Sequence, residues 1–578
     1  MRPETPVEVA KRSSRGLRGG LAQTIAAGAE HFEGDDKTLL KFHGIYEQYD
    51  RDARARVEAR RHTFMVRIAL PGGVLSASQY RALDDLADRF GGGTMRLTSR
   101  QGVQFHGLLL GDLKPALQSL NSALLTTLAA CGDVRRNVAA CPAPLDDPAH
   151  REVQAMARAI AEELQPRTRA YHEIWLDGEP LVAPPSPVDE EPFYGSSYLP
   201  RKFKVGVAID ADNCVDLYTQ DAGLLAITDG GRLAGYNLVA GGGLGITHGK
   251  GDTFARLAST VGFVESTQPG DTARGVAAIR AVAEVFRDHG DRGDRKRARL
   301  KYVLEAWGIE RFREEVQRRL PFPLLAPRPS RPLHQNDHLG RHPQGDGRDF
   351  LGVFVENGRV IDRGASRLKA ALREIAERFA PGIRLTAQQS VLLTDLSPTA
   401  ADEIEALLDD HGVATTSRLS VVRRSSLACP ALPTCSLALT DAERVLPGVL
   451  DELEGEFARL GIDDRPLTVR MTGCPNGCAR PYNADLAFVG RKPGVYHVYV
   501  GGGLAGDRLV DLFAADVPIA EFVAVLRPLL ERYRDERRSG ESLSDTWQRL
   551  VAHPTPRHLL TGRETALGLR WELAETRR

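Results

Sequence analysis

Apolar and polar residues change their period along this chain several times, and the changes come in the same order twice. Thr63 to Leu70 (TFMVRIAL) reads as a strand, ended by a Pro-Gly-Gly turn. A stripe at Leu83, Leu86, Ala87 and Phe90 follows at helical spacing. Two strands around Leu97 and Gln104 come next, then a helix from about Pro115. Further on, LGVFVENGRVI is followed by a stripe at Leu368, Leu372, Ile375 and Phe379, strands around Leu385 and Leu392, and a helix near Ala401. Each unit reads strand–helix–strand–strand–helix, which predicts an α+β fold with mixed sheets.

The letters repeat along with the pattern. Arg384-Leu385-Thr386 and Cys429-Pro430 each lie 288 positions after their counterparts, Arg96-Leu97-Thr98 and Cys141-Pro142. YNLVAGGGLG, with Gly241 to Gly243, is echoed at a shorter offset by YHVYVGGGLAG, with Gly501 to Gly503. Strands of the RLT type are common, but a shared offset is not, so the chain reads as two copies of one module. The Pro-rich stretch Leu320 to Gly340 joins them. A length of 578 residues calls for about three or four domains. The boundaries expected are 1–62 (an N-terminal extension), 63–128 with 341–415 (paired half-domains), 129–340 with the joining stretch at its end, and 416–578.

Charge narrows the class of function. Lys+Arg and Asp+Glu both number 76, so a general nucleic-acid or membrane-surface binder, which needs a cation surplus, is not expected. An anion site must be a local concentration of Arg and Lys. No apolar run reaches the roughly 18 residues of a membrane span, and the N-terminus has no apolar signal core, so a cytoplasmic protein is expected. Seven cysteines, an odd number, suit a reducing compartment, where paired cysteines bind metal more often than they form disulfides. No G-x-G-x-x-G stands between a strand and a helix, and there is no flavin module.

The sharpest chemical signal is ACPALPTC followed by MTGCPNGC. Cys429 and Cys435 are spaced C-x5-C, and Cys474 and Cys478 C-x3-C, in loops broken by Pro430, Pro433, Gly473, Pro475, Asn476 and Gly477. Four thiolates are the usual complement of a [4Fe–4S] cluster. Structural zinc is the alternative, which x5 fits less well than x3, and small buried hydrophobes are another. Cys214 fits that last description, and the first copy is read as keeping only Cys141 of the cysteine pattern.

With FHGIYEQYDRD, MVRIALPGG, RLTSRQGVQFHG, DVRRNV, YLPRKFKVGVAID, GYNLVAGGGLGITHGK, DRGDRKRARLKY and VRMTGCPNGC, the chain resembles the sulfite and nitrite reductase family. It lies closest to the branch of assimilatory sulfite reductase hemoproteins, and the resemblance spans about residues 38 to 535. It implies two pseudo-symmetric copies of a ferredoxin-like half-domain plus a larger mixed α/β module around one central cofactor site. It implies six-electron reduction of sulfite to sulfide at a siroheme coupled to a [4Fe–4S] cluster, with nitrite reduction to ammonia the nearest alternative. A non-catalytic zinc-binding protein is the alternative from another class.

By motif, the cluster ligands are Cys429, Cys435, Cys474 and Cys478, and Cys478 also bridges to the siroheme iron. Substrate binding falls on Arg67, Arg136, Lys202 and Lys204; the two lysines, two apart on a strand, share a face. Siroheme contacts fall on Arg96, Arg100, Gln104, His106, Arg201, Arg295, Lys296, Arg299 and Asn476, with 100, 104 and 106 expected on one strand face. Lys301 extends the same basic run. Arg299 stands where the family often has Lys, and a carboxylate accepts either. Electrons must come from a partner, an NADPH-dependent flavoprotein or a ferredoxin; neither nucleic acid nor membrane is expected as a partner.

Overall fold

The computed structural model describes residues 4–52, 61–171, 175–176, 179–180, 191–210, 212–330, 334–551 and 559–561. Four five-stranded sheets carry the fold and fall into two matching pairs. In one small sheet, Ile45–Tyr49, His62–Ile68, Val103–Leu108 and Met95–Leu97 lie side by side, and the fifth strand, Arg359–Val360, comes from the second copy. Its counterpart runs Gly340–Pro343, Asp349–Val353, Val391–Leu396 and Gly382–Leu385, completed by Val74–Leu75 of the first copy. The exchange is reciprocal in register: Arg359 faces Arg96, and Val74 faces Arg384. Neither small sheet is complete within its own copy.

Helices follow the predicted stripes. Ala77–Phe90 opens on a capping box, in which Gln79 N donates to Ser76 Oγ at 3.1 Å and Ser76 N donates to Gln79 Oε1 at 3.0 Å. Its Leu83 and Leu86, with Phe64 and Leu97, pack in one core with Leu351, Leu372 and Leu385 of the second copy. Burying a Leu or Phe contributes about 1.5–3 kcal/mol, so this shared core fuses the two copies as well as folding each.

The larger sheets also match. Ala139–Ala140, Val205–Ile209, Ala222–Asp229, Arg232–Ala240 and Ser259–Glu265 pair parallel, parallel, antiparallel, antiparallel. Ser426–Ala428, Val469–Thr472, Leu486–Lys492, Val495–Val500 and Asp511–Pro518 repeat that order. Val205–Ile209 is buried along its whole length, as a central parallel strand requires.

Register corrects one expectation. Val205 faces Ala222 as Val469 faces Leu486, which aligns the sheets at an offset of 264 (469 from 205, 486 from 222). Carried into the following loops, that offset sets Cys478 on Cys214, Arg480 on Asp216 and Asp485 on Asp221. The first copy therefore keeps two cysteines of the pattern, Cys141 and Cys214. The segment before this strand is longer in the first copy, so the 288 offset fails here and hides the second match. The joining stretch lies along the first copy, where Leu325 bridges to Phe263 and His334 to Asp212.

Where the copies meet, Asp216 and Arg480 both adopt left-handed backbone, φ 50° and 56°, ahead of short 3-10 turns. Their side chains pair: Asp216 Oδ2 lies 2.5 Å from Arg480 Nε and 3.0 Å from Arg470 Nη1. Asp216 Oδ1 accepts from Asn483 and Gln335 at 3.1 and 3.0 Å. Asp216 is fully buried. Among the described residues no helix is long and apolar enough to cross a membrane.

Removing one member of a buried ion group leaves the others uncompensated, at a cost of about 3–5 kcal/mol. Asp216→Ala, which strands two arginines, is expected to lower stability by that amount, read as a fall in the urea midpoint of the wild-type transition. An unchanged midpoint would show that the group carries no net stabilisation.

Candidate functional site

One face of the first small sheet presents a row of polar side chains, buried at Arg96 and Gln104 and half-buried at Arg67 and Arg359. Arg67 lies opposite Gln104, Gln104 opposite Arg96, and Arg96 opposite Arg359, so the row crosses four strands. With its side-chain oxygen turned toward Arg67, Gln104 accepts from Arg67 Nε at 3.0 Å. Neighbouring cations in such a row repel, and Glu443 of the second copy neutralises two of them. It accepts from Arg96 Nε at 2.8 Å and Arg359 Nε at 2.7 Å. Arg67 Nη1 also points at Cys131 Sγ, 2.9 Å away, and its guanidinium carbon is 5.9 Å from the Tyr46 ring.

Arg136, Lys202 and Lys204 are placed by one buried phenylalanine. Arg136 N donates to the Phe203 carbonyl at 2.7 Å, and Phe203 N donates to that of Val134 at 3.0 Å. Phe203 is fully buried, so the lysines on either side of it face the opposite way, into the cavity. Arg100 departs from the expected strand face. It sits in the turn closed by Thr98 N donating to the Gly102 carbonyl at 2.8 Å, while Gln104 and His106 lie on the strand.

The cysteines come from the other copy. Cys429 follows Ser426–Ala428, and Cys474 and Cys478 lie in the loop after Val469–Thr472. Gly473 N points at Cys429 Sγ at 3.4 Å, and Asn476 Nδ2 at Cys474 Sγ at 3.5 Å. Arg51 clamps the Cys435 loop by donating to the Cys435 carbonyl at 3.1 Å. The two halves are tied directly: Ser99 Oγ donates to the Cys478 carbonyl at 3.2 Å, and Arg480 Nη1 donates to the Ser99 carbonyl at 2.9 Å. One cavity is lined by Arg67, Arg96, Arg100, Gln104, His106, Arg136, Lys202 and Lys204 together with Cys429, Cys435 and Cys478.

The remaining candidates are arranged around protein carboxylates. Asp133 accepts from Arg295 at 2.8 and 3.1 Å and lies 3.7 Å from Arg201. Asp221 holds Arg299 through two 2.8 Å bonds. Lys301 donates to the carbonyls of Gly243 and Gly245 at 3.0 and 2.9 Å, fixing the glycine turn. Lys296 is exposed, as is Asn476, and neither lines the cavity. The sequence reading misses Glu443, Asp133 and Asp221. Asp221 has a signal, its match with Asp485 at the 264 offset, and Asp133 opens the DVRRNV motif; Glu443 has none nearby in the chain.

The electrostatics of the two halves are opposite. Burial, then Arg299 and Arg201, bring Lys202 down to about 7. Burial, then Arg480, brings Arg100 to about 9, and burial with Arg359 and Arg96 brings His106 to about 3. Across the cavity, burial and the neighbouring Cys478 push Cys474 up to about 12 and Cys429 well above the usual thiol range. One half calls for an anion and the other for a cation. Arg100 Nη1 is buried without a partner, a fit for a carboxylate of a large anionic ligand; His106 Nε2, also unpartnered, is the acceptor of a neutral ring whose Nδ1 lies 3.1 Å from Gln48 Oε1.

Two family models match this chain. "Nitrite and sulphite reductase 4Fe-4S domain" matches residues 155–324 and 422–551, and "Nitrite/Sulfite reductase ferredoxin-like half domain" matches 57–123 and 342–411. The chain belongs to the nitrite and sulfite reductase family. It is 45% identical over 565 residues (96% of this chain, 98% of the other) to a "Sulfite reductase [NADPH] hemoprotein beta-component" of Acidithiobacillus ferrooxidans. A protein of the same name from Geobacillus kaustophilus is 43% identical, with 94% of this chain and 95% of the other covered. The solved structure of the Mycobacterium tuberculosis NirA protein superposes with a TM-score of 0.75 at 23% identity, covering 95% and 97% of the two chains, which shows a shared fold. In this family member the row of cations and the thiols stand on opposite copies, so neither copy holds a site alone.

Because burial, with Arg359 and Arg96, holds the His106 imidazole far below the usual histidine range, it stays neutral across the neutral pH range. Its ring resonances, followed by histidine-selective NMR, are expected not to titrate across the neutral range; a titration near 6.5 would contradict its burial.

Proposed function

We propose that this chain reduces sulfite to sulfide, taking six electrons, with Cys429, Cys435, Cys474 and Cys478 the residues that would hold a [4Fe–4S] cluster and Cys478 the one that would couple it to a siroheme. The observation that carries the reading is the single cavity in which the second copy's thiols face the first copy's Arg67, Arg136, Lys202 and Lys204. When bound, the siroheme and cluster would relay electrons from the external donor to sulfite. Arg100 Nη1 is the free donor for a siroheme carboxylate, with His106 beside it in the set of siroheme contacts. Arg96, held by Glu443, and Gln104 form the floor beneath, with Asn476 beside the cluster. Arg201, Arg295 and Arg299 keep their guanidinium groups aimed through Asp133 and Asp221, with Lys296 at the rim.

Arg67, Arg136, Lys202 and Lys204 bind the oxyanion. A close charge pair contributes about 4 kcal/mol at an effective dielectric near 20. Arginine holds charge and orientation, while a lysine brought to about 7 can also release a proton to an oxygen leaving sulfur. Sulfite is favoured over nitrite because two lysines and two arginines converge on one small anion, and because the relatives above are named sulfite reductases. By those same names, the donor proposed is an NADPH-oxidising flavoprotein, with ferredoxin the other candidate, and the cytoplasm is the proposed location.

Turnover of sulfite with NADPH is expected only after that flavoprotein is added, with kcat/KM higher for sulfite than for nitrite. Activity of this chain with NADPH alone, or a much higher kcat/KM for nitrite, overturns the reading. Lys202→Ala and Lys204→Ala should each lower kcat/KM for sulfite about 10- to 100-fold, the worth of one hydrogen bond to a charged group.

The sign of the pH dependence follows from Lys202. Below about 7 it is an ammonium and above it an amine, so sulfite binding weakens as pH rises. An alkaline decline in kcat/KM is expected. Lys202→Arg, whose charge does not titrate there, should move that decline upward; a profile left in place would assign it to another group.

A further inference from the structure

In the first copy, away from the cavity just described, four ligand-type side chains converge: Cys141, Asp212, Cys214 and His338. Their sulfur, oxygen and nitrogen atoms all lie within 4.8 Å of one another. Cys141 Sγ is 3.8 Å from Asp212 Oδ2 and 3.8 Å from His338 Nε2, and those two atoms are 3.3 Å apart. A tetrahedral zinc ion has bonds of about 2.3 Å to sulfur and about 2.0–2.1 Å to nitrogen or oxygen, which sets sulfur–nitrogen and sulfur–oxygen edges near 3.5 Å and nitrogen–oxygen edges near 3.3 Å. The side chains already stand close to the corners of such a tetrahedron.

Three segments bring them together. Cys141 follows the strand Ala139–Ala140, Asp212 and Cys214 lie in the loop after Val205–Ile209, and His338 belongs to the stretch joining the copies. The backbone supports the arrangement. Cys214 N donates to Asp212 Oδ1 at 3.0 Å and Asn336 N donates to the same oxygen at 3.3 Å, which leaves Oδ2 facing the sulfur and the imidazole. Asn213 N donates to the His334 carbonyl at 2.7 Å, and Asp337 pairs with Arg424 at 2.8 Å, fixing the joining stretch on both sides. His338 has φ 57°, a left-handed conformation costing a non-glycine residue about 1–3 kcal/mol, which persists only where the surroundings hold it. Asp212 and His338 also line a separate cavity of about 850 Å³, an entry path for an ion.

Cys141 matches Cys429 at the 288 offset and Cys214 matches Cys478 at the 264 offset. The first copy has thus retained thiols at two of the four cluster positions and gained a carboxylate and an imidazole beside them. We propose that Cys141, Asp212, Cys214 and His338 bind one zinc ion that clips the joining stretch to the first copy. Two thiolates with one imidazole and one carboxylate, all from protein, make a closed structural site for this borderline-soft ion. Binding releases the thiol protons to solvent and involves no electron transfer.

The test uses the holoenzyme with its full complement of siroheme and cluster, so that the other four cysteines are already engaged. After exposure to zinc and removal of the excess, elemental analysis is expected to find one zinc per chain. Zinc-edge X-ray absorption should show two sulfurs at about 2.3 Å and two lighter ligands at about 2.0–2.1 Å. Cys214→Ser combined with His338→Ala should lose the zinc and keep the visible spectrum of the two cofactors. No stoichiometric zinc, zinc retained by the double variant, a four-sulfur shell, or a disulfide between Cys141 and Cys214 on thiol mapping would each overturn the proposal. Should the variant fail to fold, the wild-type absorption spectrum decides alone.

Discussion

A carboxylate shared by two arginines at the junction of the copies holds the functional cleft in register. Asp216 and Arg480 occupy matching positions in the duplicated module, so the local twofold relation brings them face to face. In identical copies those positions would carry like charges, buried and repelling. The exchange of sign turns the axis from a liability into an ion pair, with Arg470 as third member. From there Arg480 reaches the Ser99 and Ala387 carbonyls, so the turn carrying Arg100 and the loop carrying Cys478 are positioned by one side chain.

The same loss of identity runs through the site. Each copy supplies what the other lacks: a row of cations on one small sheet, four thiols on one large sheet. Neither set is comfortable alone. The cations are crowded by one another and by burial, and the thiols resist ionisation for the same two reasons. A ligand that is anionic at its rim and cationic at its metal relieves both, so binding energy is stored in the folded protein as unmet electrostatic demand.

Much of this was readable in the sequence, and what was not has a physical reason. Local periods gave the α+β succession, and a common offset gave the duplication, because both depend only on near neighbours along the chain. The cysteine loops stood out through their glycines and prolines. Cys214 was passed over because a length difference between the copies shifts the offset, and only strand register restores it. Glu443 is invisible in the sequence because a cation's partner is settled by folding. The carboxylates that orient Arg295 and Arg299, Asp133 and Asp221, come from segments far from them along the chain. Even spacing from Gln104 places Arg100 on a strand face, but the intervening turn resets the alternation.

The traded strands have a consequence for how such a protein comes into being. The sheet begun by the N-terminal half has no closing strand until the residues near 360 exist, and Arg96 waits for a partner 347 positions downstream. Contacts of that separation are slow to form, and synthesis proceeds from the N-terminus. A ribosome-bound fragment therefore has no finished pocket into which a reactive tetrapyrrole could be lodged prematurely. The pocket cannot close before Cys478 has been made, which places cofactor insertion late in synthesis or after it.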